Sequence, residues 1–179
     1  MPHQALPDHG GTHSRALWTT YRAVILEVGA VTATGSHVYP GTIGLLDRLH
    51  GAGIPIALLV PVPGAVDSLS AAGIADRFDV VWTAEPPEGR ADRESGSTGA
   101  LLEMARRLGA PPSAVAFVGS TAGAVRAARL GGFGLVVGVD RGSRPRRASL
   151  DAAGAHLTVA DLGELDLGVS RTDPWVLVL

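Results

Sequence analysis

The stretch AVILEV, residues 23 to 28, decides the fold. It is a short aliphatic run that contains one acid, Glu27, next to its end. Strands that are buried on both faces of a parallel sheet have this composition, because helices cover both faces. We therefore expect a central strand here, with Glu27 at its carboxyl end.

Similar apolar runs recur along the chain, with helix-like segments between them. The other strand candidates are residues 54–60, 80–83, 115–118 and 135–139, with a weaker candidate at 156–160. The helix candidates are residues 42–50, 65–72, 99–108, 121–130 and 147–153. Such alternation is typical of α/β proteins. We predict a three-layer parallel sheet with helices on both faces.

Three other segments do not follow this alternation. Residues 84–98 are rich in Pro, Gly and charge, so we expect an exposed loop there. Residues 1–20 are expected to form a flexible tail before an α/β domain at 21–168. The histidines of that tail could hold a metal ion, but we prefer a solvated tail because ordering flexible ligands costs entropy. The apolar tail, 169–179, should dock on the domain, cover a partner or lead into a longer chain.

Composition limits the function classes. Of 179 residues, 46% are apolar and 18% charged, as in globular proteins. The net charge of −2 (15 cationic minus 17 anionic residues) predicts binding to neither nucleic acid nor an anionic membrane. The absence of cysteine excludes disulfides, thiolate metal sites and a cysteine nucleophile, and suits the cytoplasm, where we expect the protein. No apolar run approaches the roughly 20 residues that span a bilayer.

Six short motifs connect these elements to a known family. They are YRAVIL at 21–26, VYPGT at 38–42, GAGIP at 51–55, AGIADRFD at 72–79, RRLG at 106–109 and AARLGGFG at 127–134. In this order and spacing the chain resembles the haloacid dehalogenase-like superfamily, in its β-phosphoglucomutase-like branch, over residues 21–167. The resemblance implies a Rossmann-like fold and phosphoryl-transfer chemistry.

The same resemblance identifies positions at which this chain departs from the family's catalytic residues. The aspartate nucleophile corresponds to Glu27, and the acid–base aspartate two residues later to Gly29. The phosphate-binding Ser or Thr corresponds to Val60, and the family lysine to a position near Ser95. The acidic pair that holds magnesium corresponds to Gly119 and Ser120.

These replacements predict a loss of the family chemistry. The longer side chain of Glu27 misplaces a nucleophile by roughly an ångström, which costs about 10²-fold in rate. Without the acidic pair we expect weak or no magnesium binding and no other cofactor. The leading hypothesis is a protein that has lost phosphatase or phosphomutase activity and acts as a binding, scaffolding or regulatory domain. The alternative is a divergent enzyme that uses Glu27 as acid, base or nucleophile on a small metabolite.

Several residues near the expected cleft allow two interpretations. Ser120 and Thr121 start a helix and could receive a small anionic ligand, although we prefer simple helix capping. Arg93 could reach over such an anion, or it is a solvated charge. Glu27 needs a partner if buried, and hydrogen bonds to nearby backbone N–H groups are the simplest.

The chain also leaves little room for a cap domain. Relatives of this branch insert a helical cap between the first strand and the Tyr39-Pro40-Gly41 segment, and only about ten residues lie there in this chain. We therefore expect a capless fold with an open cleft. A protein partner or a second copy of the chain is expected to cover that cleft.

Overall fold

The computed structural model describes residues 21–33, 37–61, 65–83, 93–142 and 144–165. Its strands are β1 Ala23–Glu27, β2 Ile56–Val60, β3 Val80–Thr83, β4 Val115–Gly119, β5 Leu135–Val139 and β6 Leu157–Val159. They form one sheet in the order β3-β2-β1-β4-β5-β6, with every neighbouring pair parallel. The predicted parallel α/β fold is confirmed.

Six helices accompany the sheet in the described part of the chain. They are α1 Val28–Val31, α2 Pro40–Gly51, α3 Ala65–Ala71, α4 Arg93–Arg107, α5 Ala122–Leu130 and α6 Arg144–Ala152. Apolar side chains of α1, α2 and α3 pack in one core cluster, and those of α4, α5 and α6 in a second. The two clusters lie on opposite faces of the sheet, which gives the three layers that the sequence predicted.

Strand β1 shows how the sequence assigns side chains to these two layers. All five of its residues are buried. Val24 and Leu26 belong to the cluster of α2, whereas Ala23 and Ile25 belong to the cluster of α5. Because side chains alternate across a strand, Glu27 lies on the same face as Ile25, toward α5.

The loop predicted at residues 84–98 does not extend to residue 98. Helix α4 already begins at Arg93, so the prediction of a loop was wrong for residues 93–98. Glycine and serine disfavour helix locally, but tertiary packing overrides such propensities. The hydroxyl of Thr98 donates to the carbonyl oxygen of Ala127 at 3.3 Å, which ties the start of α4 to α5. Residues 84–92 lie outside the described part.

The connection between α1 and α2 is only residues 32–39. Thr32 and Val38 form an isolated antiparallel bridge, and the N–H of Ala33 donates to the carbonyl of His37 at 2.9 Å. A short link therefore stands at the position where relatives of this branch insert a helical cap. Within the described ranges no cap domain is present, in agreement with the expectation.

Residues 1–20 and 166–179 lie outside the described residues, so the two tails stay predictions. The same holds for the metal-binding alternative at the N-terminal histidines. Among the helices that the structure describes, none has both the length and the apolar character needed to cross a membrane.

Candidate functional site

The site lies where the strand order reverses. Strands β1 and β4 are neighbours in the sheet, and the chain runs outward from them in opposite directions. In open parallel sheets, ligands bind in the crevice at the carboxyl ends of such a pair. Glu27 ends β1 and Gly119 ends β4, so both lie at this crevice. Glu27 is 3% exposed, which places its carboxylate out of the solvent.

The carboxylate of Glu27 is held by the turn that follows β4. Its Oε2 atom accepts hydrogen bonds from the backbone N–H of Ser120 at 2.6 Å and of Thr121 at 3.1 Å, and from the Ser120 hydroxyl at 3.2 Å. Its Oε1 atom accepts from the Thr121 hydroxyl at 2.8 Å. Hydrogen bonds to a charged group contribute about 1.5–3 kcal/mol each, so this contact is a strong link between β1 and β4.

Thr121 takes part in this contact and also caps helix α5. Its Oγ1 atom accepts from the N–H of Ala124 at 3.3 Å while its hydroxyl hydrogen goes to Glu27. The capping interpretation is confirmed. The N-terminus of α5 also receives an anion, and that anion is the chain's own Glu27 carboxylate. A carboxylate at this end of a helix is favoured by the helix dipole as well.

Two glycines leave the room that the contact requires. A Cβ atom on Gly29 would lie 2.4 Å from Oγ of Ser120. A Cβ atom on Gly119 would lie 2.6 Å from Cε1 of Phe117 and 3.2 Å from Oε2 of Glu27. Gly29 and Gly119 therefore contribute to the site because they have no side chain, which leaves space for the contact between Glu27 and Ser120. Neither glycine supplies a functional group.

The structure does not bring every predicted site residue together. Val60 ends β2, but its side chain is fully buried among the residues that pack on α2, on the face opposite Glu27. The Val60 side chain therefore does not lie beside Glu27, although Val60 corresponds to the family's phosphate-binding Ser or Thr. The physical reason is register: Ile56, Leu58 and Val60 share one face of β2. Arg93 and Ser95 lie in the first turns of α4, and their side chains lie outside the described part.

The donor set at the crevice does not fit the magnesium ion that the resemblance implies. Mg²⁺ requires oxygen atoms with free lone pairs in octahedral geometry. Here two N–H and two O–H groups point at Glu27, and each presents a partial positive charge. A cation at Glu27 would have to displace these donors, and among the described residues no group of three or more His, Cys, Asp or Glu side chains could hold a metal ion. We therefore derive no step through a metal ion.

A second group of contacts, centred on Arg141, supports the turn after Glu27. The guanidinium donates to the carbonyl oxygen of Ala30 in α1 at 2.7 Å and to the Asp161 carboxylate at 3.0 Å. It also stacks 3.2 Å from the ring centroid of Tyr39. The Nε atom of Arg141 is buried and has no hydrogen-bond partner among the described residues. Arg141 thus joins the ends of β1 and β5 to the start of α2.

Asp161 anchors this cluster. Burial acts to raise the pKa of its carboxyl, but hydrogen bonds from the Gly163 N–H and from Arg141 outweigh burial, and the pKa lies below its ordinary value. Sequence reasoning missed both residues of the ion pair. The only available signal was the position of Arg141, two residues after the end of β5, close to where functional side chains of this fold class gather.

Comparison with known proteins identifies the scaffold. The model of the haloacid dehalogenase-like hydrolase family matches residues 4–132. A solved β-phosphoglucomutase from Clostridium difficile superimposes with a TM-score of 0.58 over 78% of this chain and 56% of that one. Its sequence identity of 21% supports the fold alone.

Curated relatives have a higher sequence identity to this chain than that solved structure has. A β-phosphoglucomutase of Mycobacterium bovis is 31% identical over 137 residues, which are 73% of this chain and 50% of that protein. A trehalose-phosphate phosphatase of Mycobacterium leprae is 34% identical over 126 residues, which are 69% of this chain and 28% of that protein. The chain therefore spans half the length or less of both curated relatives.

Proposed function

This chain belongs to the haloacid dehalogenase-like hydrolase family, in its β-phosphoglucomutase-like branch, and from that premise we propose that it is a non-catalytic member. In this proposal the protein acts as a binding, scaffolding or regulatory domain. Its relatives include phosphomutases and phosphatases. The single observation that carries the proposal is the engagement of both Glu27 carboxylate oxygens by Ser120 and Thr121.

A nucleophile or general base must reach its substrate with a free lone pair. Glu27 is 3% exposed, and four donors already surround its two oxygens. Oε2 already accepts three hydrogen bonds, so an attack on a phosphoryl group would have to come from Oε1, and the buried side chain would have to rearrange to present that atom. The free energy of that rearrangement would add to the barrier of the chemical step, which favours a structural role for this carboxylate.

The composition of the chain supports the same conclusion. All 15 cationic side chains are arginines, so the chain contains no lysine at any position. A lysine at the active site supports the negative charge of the transferred phosphoryl group in the family, as the resemblance implied. Electrostatic support of this kind is usually the largest catalytic contribution. Position 29 is a glycine and offers no proton-transfer group either.

The alternative function is a divergent enzyme in which Glu27 serves as acid, base or nucleophile. It would need a conformation in which the Glu27 side chain leaves Ser120 and turns toward the solvent. The four hydrogen bonds oppose that movement, so the geometry supports the alternative less well. Glu27 has the main role in both proposals, so activity assays with a Glu27 variant distinguish them.

The deciding experiment measures hydrolysis of p-nitrophenyl phosphate and of sugar phosphates by the purified chain, with and without Mg²⁺. We expect no turnover above that of the matched variant Glu27→Gln, which preserves side-chain size and removes the charge. Magnesium-dependent turnover that disappears in Glu27→Gln would contradict the proposal. Metal-independent turnover of any substrate that disappears in Glu27→Gln would support the divergent enzyme instead.

A partner at the open carboxyl edge of the sheet is part of the proposal. The link at residues 32–39 carries no cap, and the described part of the chain adds none elsewhere, so a protein partner or a second copy of the chain would be the cover. Light scattering of the purified chain over a range of concentrations tests the homo-oligomer. If the chain is a monomer at every concentration, the homo-oligomer is excluded and a different protein remains as the proposed partner.

A further inference from the structure

We propose that a second copy of this chain docks on the helix layer formed by α4, α5 and α6. The docking copy presents the helix layer on the opposite face of its own sheet, so that copies stack with unlike layers in contact. This inference goes beyond the proposed function, because the contact uses neither Glu27 nor the carboxyl edge of the sheet. Its failure is therefore distinguishable from failure of the activity assays.

The layer formed by α4, α5 and α6, called the basic layer below, carries a positive charge. Among its described side chains, six cationic minus two anionic residues give a formal charge of +4. The anionic residues are Glu103 and Asp151. The cationic residues are all exposed arginines: Arg106, Arg107, Arg126, Arg129, Arg146 and Arg147. Ion pairs within the layer, such as those of Glu103 with Arg106 and Arg107, leave this net charge unchanged.

The opposite layer, called the acidic layer below, carries a negative charge. It consists of α1, α2 and α3 with the 3₁₀ turns Ala75–Arg77 and Leu162–Glu164, whose neighbouring side chains pack in the same core cluster. With the capping residue Asp161 and neutral histidine, two cationic minus five anionic residues give a formal charge of −3. The charged residues are Arg48, Arg77, Asp47, Asp67, Asp76, Asp161 and Glu164. The net charge of −2 for the whole chain thus conceals two faces of opposite sign.

Each layer also exposes large apolar side chains among its charges. On the basic layer, Leu130 at the end of α5 is 69% exposed, and Leu102 in α4 is 40% exposed. On the acidic layer, Ile43 in α2 is 36% exposed and lies one helical turn before Asp47. Protein interfaces combine a few apolar anchors with a polar rim. Both layers therefore have the composition that a contact between copies requires.

The charges also determine how two copies meet. A two-fold dimer through the basic layer would bring the arginines of one copy against those of the other, and like charges that face each other across an interface are costly. The basic layer of one copy against the acidic layer of the next is favourable, but this contact is heterologous. Because the two layers lie on opposite faces of one sheet, every added copy leaves a free layer at each end of the row. We therefore expect oligomers that grow with concentration.

Sedimentation velocity of the unaltered chain gives the first test. Charges interact over about 30 Å at about 10 mM salt and over about 8 Å at about 150 mM. We expect the mean sedimentation coefficient to rise with protein concentration at the lower salt, and the association to be at least about tenfold weaker at the higher salt. A monomer at every concentration, a dimer of fixed size, or an association that salt does not change would each overturn the inference.

Two matched charge reversals locate the contact. Arg126→Glu changes the basic layer, whereas Arg22→Glu changes the net charge equally at an exposed residue outside both layers. We expect Arg126→Glu to weaken the low-salt association at least about fivefold and Arg22→Glu to change it by less than about twofold. Leu130→Ser changes no charge and should weaken the association as well, because it removes an apolar anchor. Equal effects of the two reversals, or no effect of Leu130→Ser, would indicate unspecific attraction between charges and would overturn the inference.

A charge-swap experiment tests the pairing of the two layers. Arg126→Glu with Arg146→Glu changes the formal charge of the basic layer from +4 to 0, and Asp67→Arg with Asp76→Arg changes that of the acidic layer from −3 to +1. We expect neither double variant to associate alone. A mixture of the two retains one intact acidic layer and one intact basic layer, so it should form a 1:1 complex that cannot extend. Failure to form this complex, or growth beyond it, would contradict stacking of unlike layers.

Discussion

The Oε2 atom of Glu27 lies 2.6 Å from the backbone nitrogen of Ser120, although 93 residues separate the two in sequence. This hydrogen bond crosses the point of the sheet where related folds leave a crevice for ligands. It also joins the last residue of β1 to the first residue after β4. The Glu27 side chain therefore adds a contact between the central strands β1 and β4 and fills the crevice at their carboxyl ends.

The first prediction concerns the stability of Glu27 variants. Glu27→Ala leaves the N–H groups of Ser120 and Thr121 without an acceptor, and we expect the free energy of unfolding to fall by about 2–4 kcal/mol. Glu27→Gln retains an amide oxygen for the N–H groups and should lose about half as much. Urea unfolding followed by circular dichroism measures both. A Glu27→Ala protein as stable as the unaltered chain would contradict the structural role of the carboxylate.

The second prediction concerns the coupling of Gly29 and Ser120. In Gly29→Ala the new Cβ would lie 2.4 Å from Oγ of Ser120, so the hydroxyl must rotate away from Glu27. We expect a loss of about 1 kcal/mol. In the Ser120→Ala background the nearest atom is Cβ at 3.6 Å, an ordinary contact, so Gly29→Ala should cost almost nothing. Additive effects in this double-mutant cycle would show that the two residues do not compete for space.

The third prediction concerns Gly119→Asp, which introduces an acidic side chain at the end of β4. Gly119→Asp places a Cβ 2.6 Å from the ring of Phe117, which is fully buried, and adds a second carboxylate beside Glu27. We expect a loss of at least 1–3 kcal/mol from overpacking alone. Gly123→Ala is the matched control, since nothing lies within 4 Å of its Cβ in α5. That control should be neutral or stabilising by up to about 1 kcal/mol.

Much of this fold could be predicted from the sequence because buried parallel strands are recognisable as aliphatic runs. The predicted strand at 80–83 has the same bounds as β3, and that at 135–139 the same bounds as β5. Glycine follows the end of α3 at Gly73, whose φ of 68° lies in the left-handed region that favours glycine and ends a helix. The four-residue helix α1 was missed, because one turn carries no periodic signal.

The site was harder to predict than the fold. The structure brings Glu27, Ser120 and Thr121 into contact, and backbone N–H groups are among the partners of Glu27 as expected. That these residues form a functional site stays a prediction. The sequence did not predict on which face of the sheet the Val60 side chain lies, because that face depends on the register of β2 with its neighbouring strands. Arg141 was missed because its partners, Ala30 and Asp161, are respectively 111 and 20 residues away. Contacts at such separations leave no local pattern.

The fourth prediction concerns Arg141. Its guanidinium contacts Ala30, Asp161 and Tyr39 at once, and its side chain is 17% exposed. Arg141→Ala should lower the free energy of unfolding by about 2–3 kcal/mol, and Arg141→Lys should recover only part because an ammonium cannot make the same three contacts. Arg106→Ala, in an exposed pair with Glu103, is the control and should cost below about 1 kcal/mol. Equal losses for Arg106→Ala and Arg141→Ala would contradict the assignment.

The last prediction concerns pH and His156. The Nδ1 atom of this ring accepts a hydrogen bond from the N–H of Val136 at 2.9 Å, which requires an unprotonated Nδ1. The other ring nitrogen, Nε2, contacts the guanidinium of Arg129. Burial, and then the charge of Arg129, lowers the pKa of His156 below its ordinary value of 6.5.

A lowered pKa means that the unfolded chain takes up a proton near pH 6.5 while the folded chain does not. The unfolded state then binds more protons, so the contribution of His156 to stability is complete above this pH and decreases as the pH falls below it. The matched variant is His156→Asn, whose amide oxygen can replace Nδ1 as an acceptor but does not titrate. We expect the Tm of the unaltered chain to fall more than that of His156→Asn between pH 7.5 and pH 5. Other titrating groups are common to both proteins and cancel in the comparison, so parallel Tm curves would assign the acid sensitivity to residues other than His156.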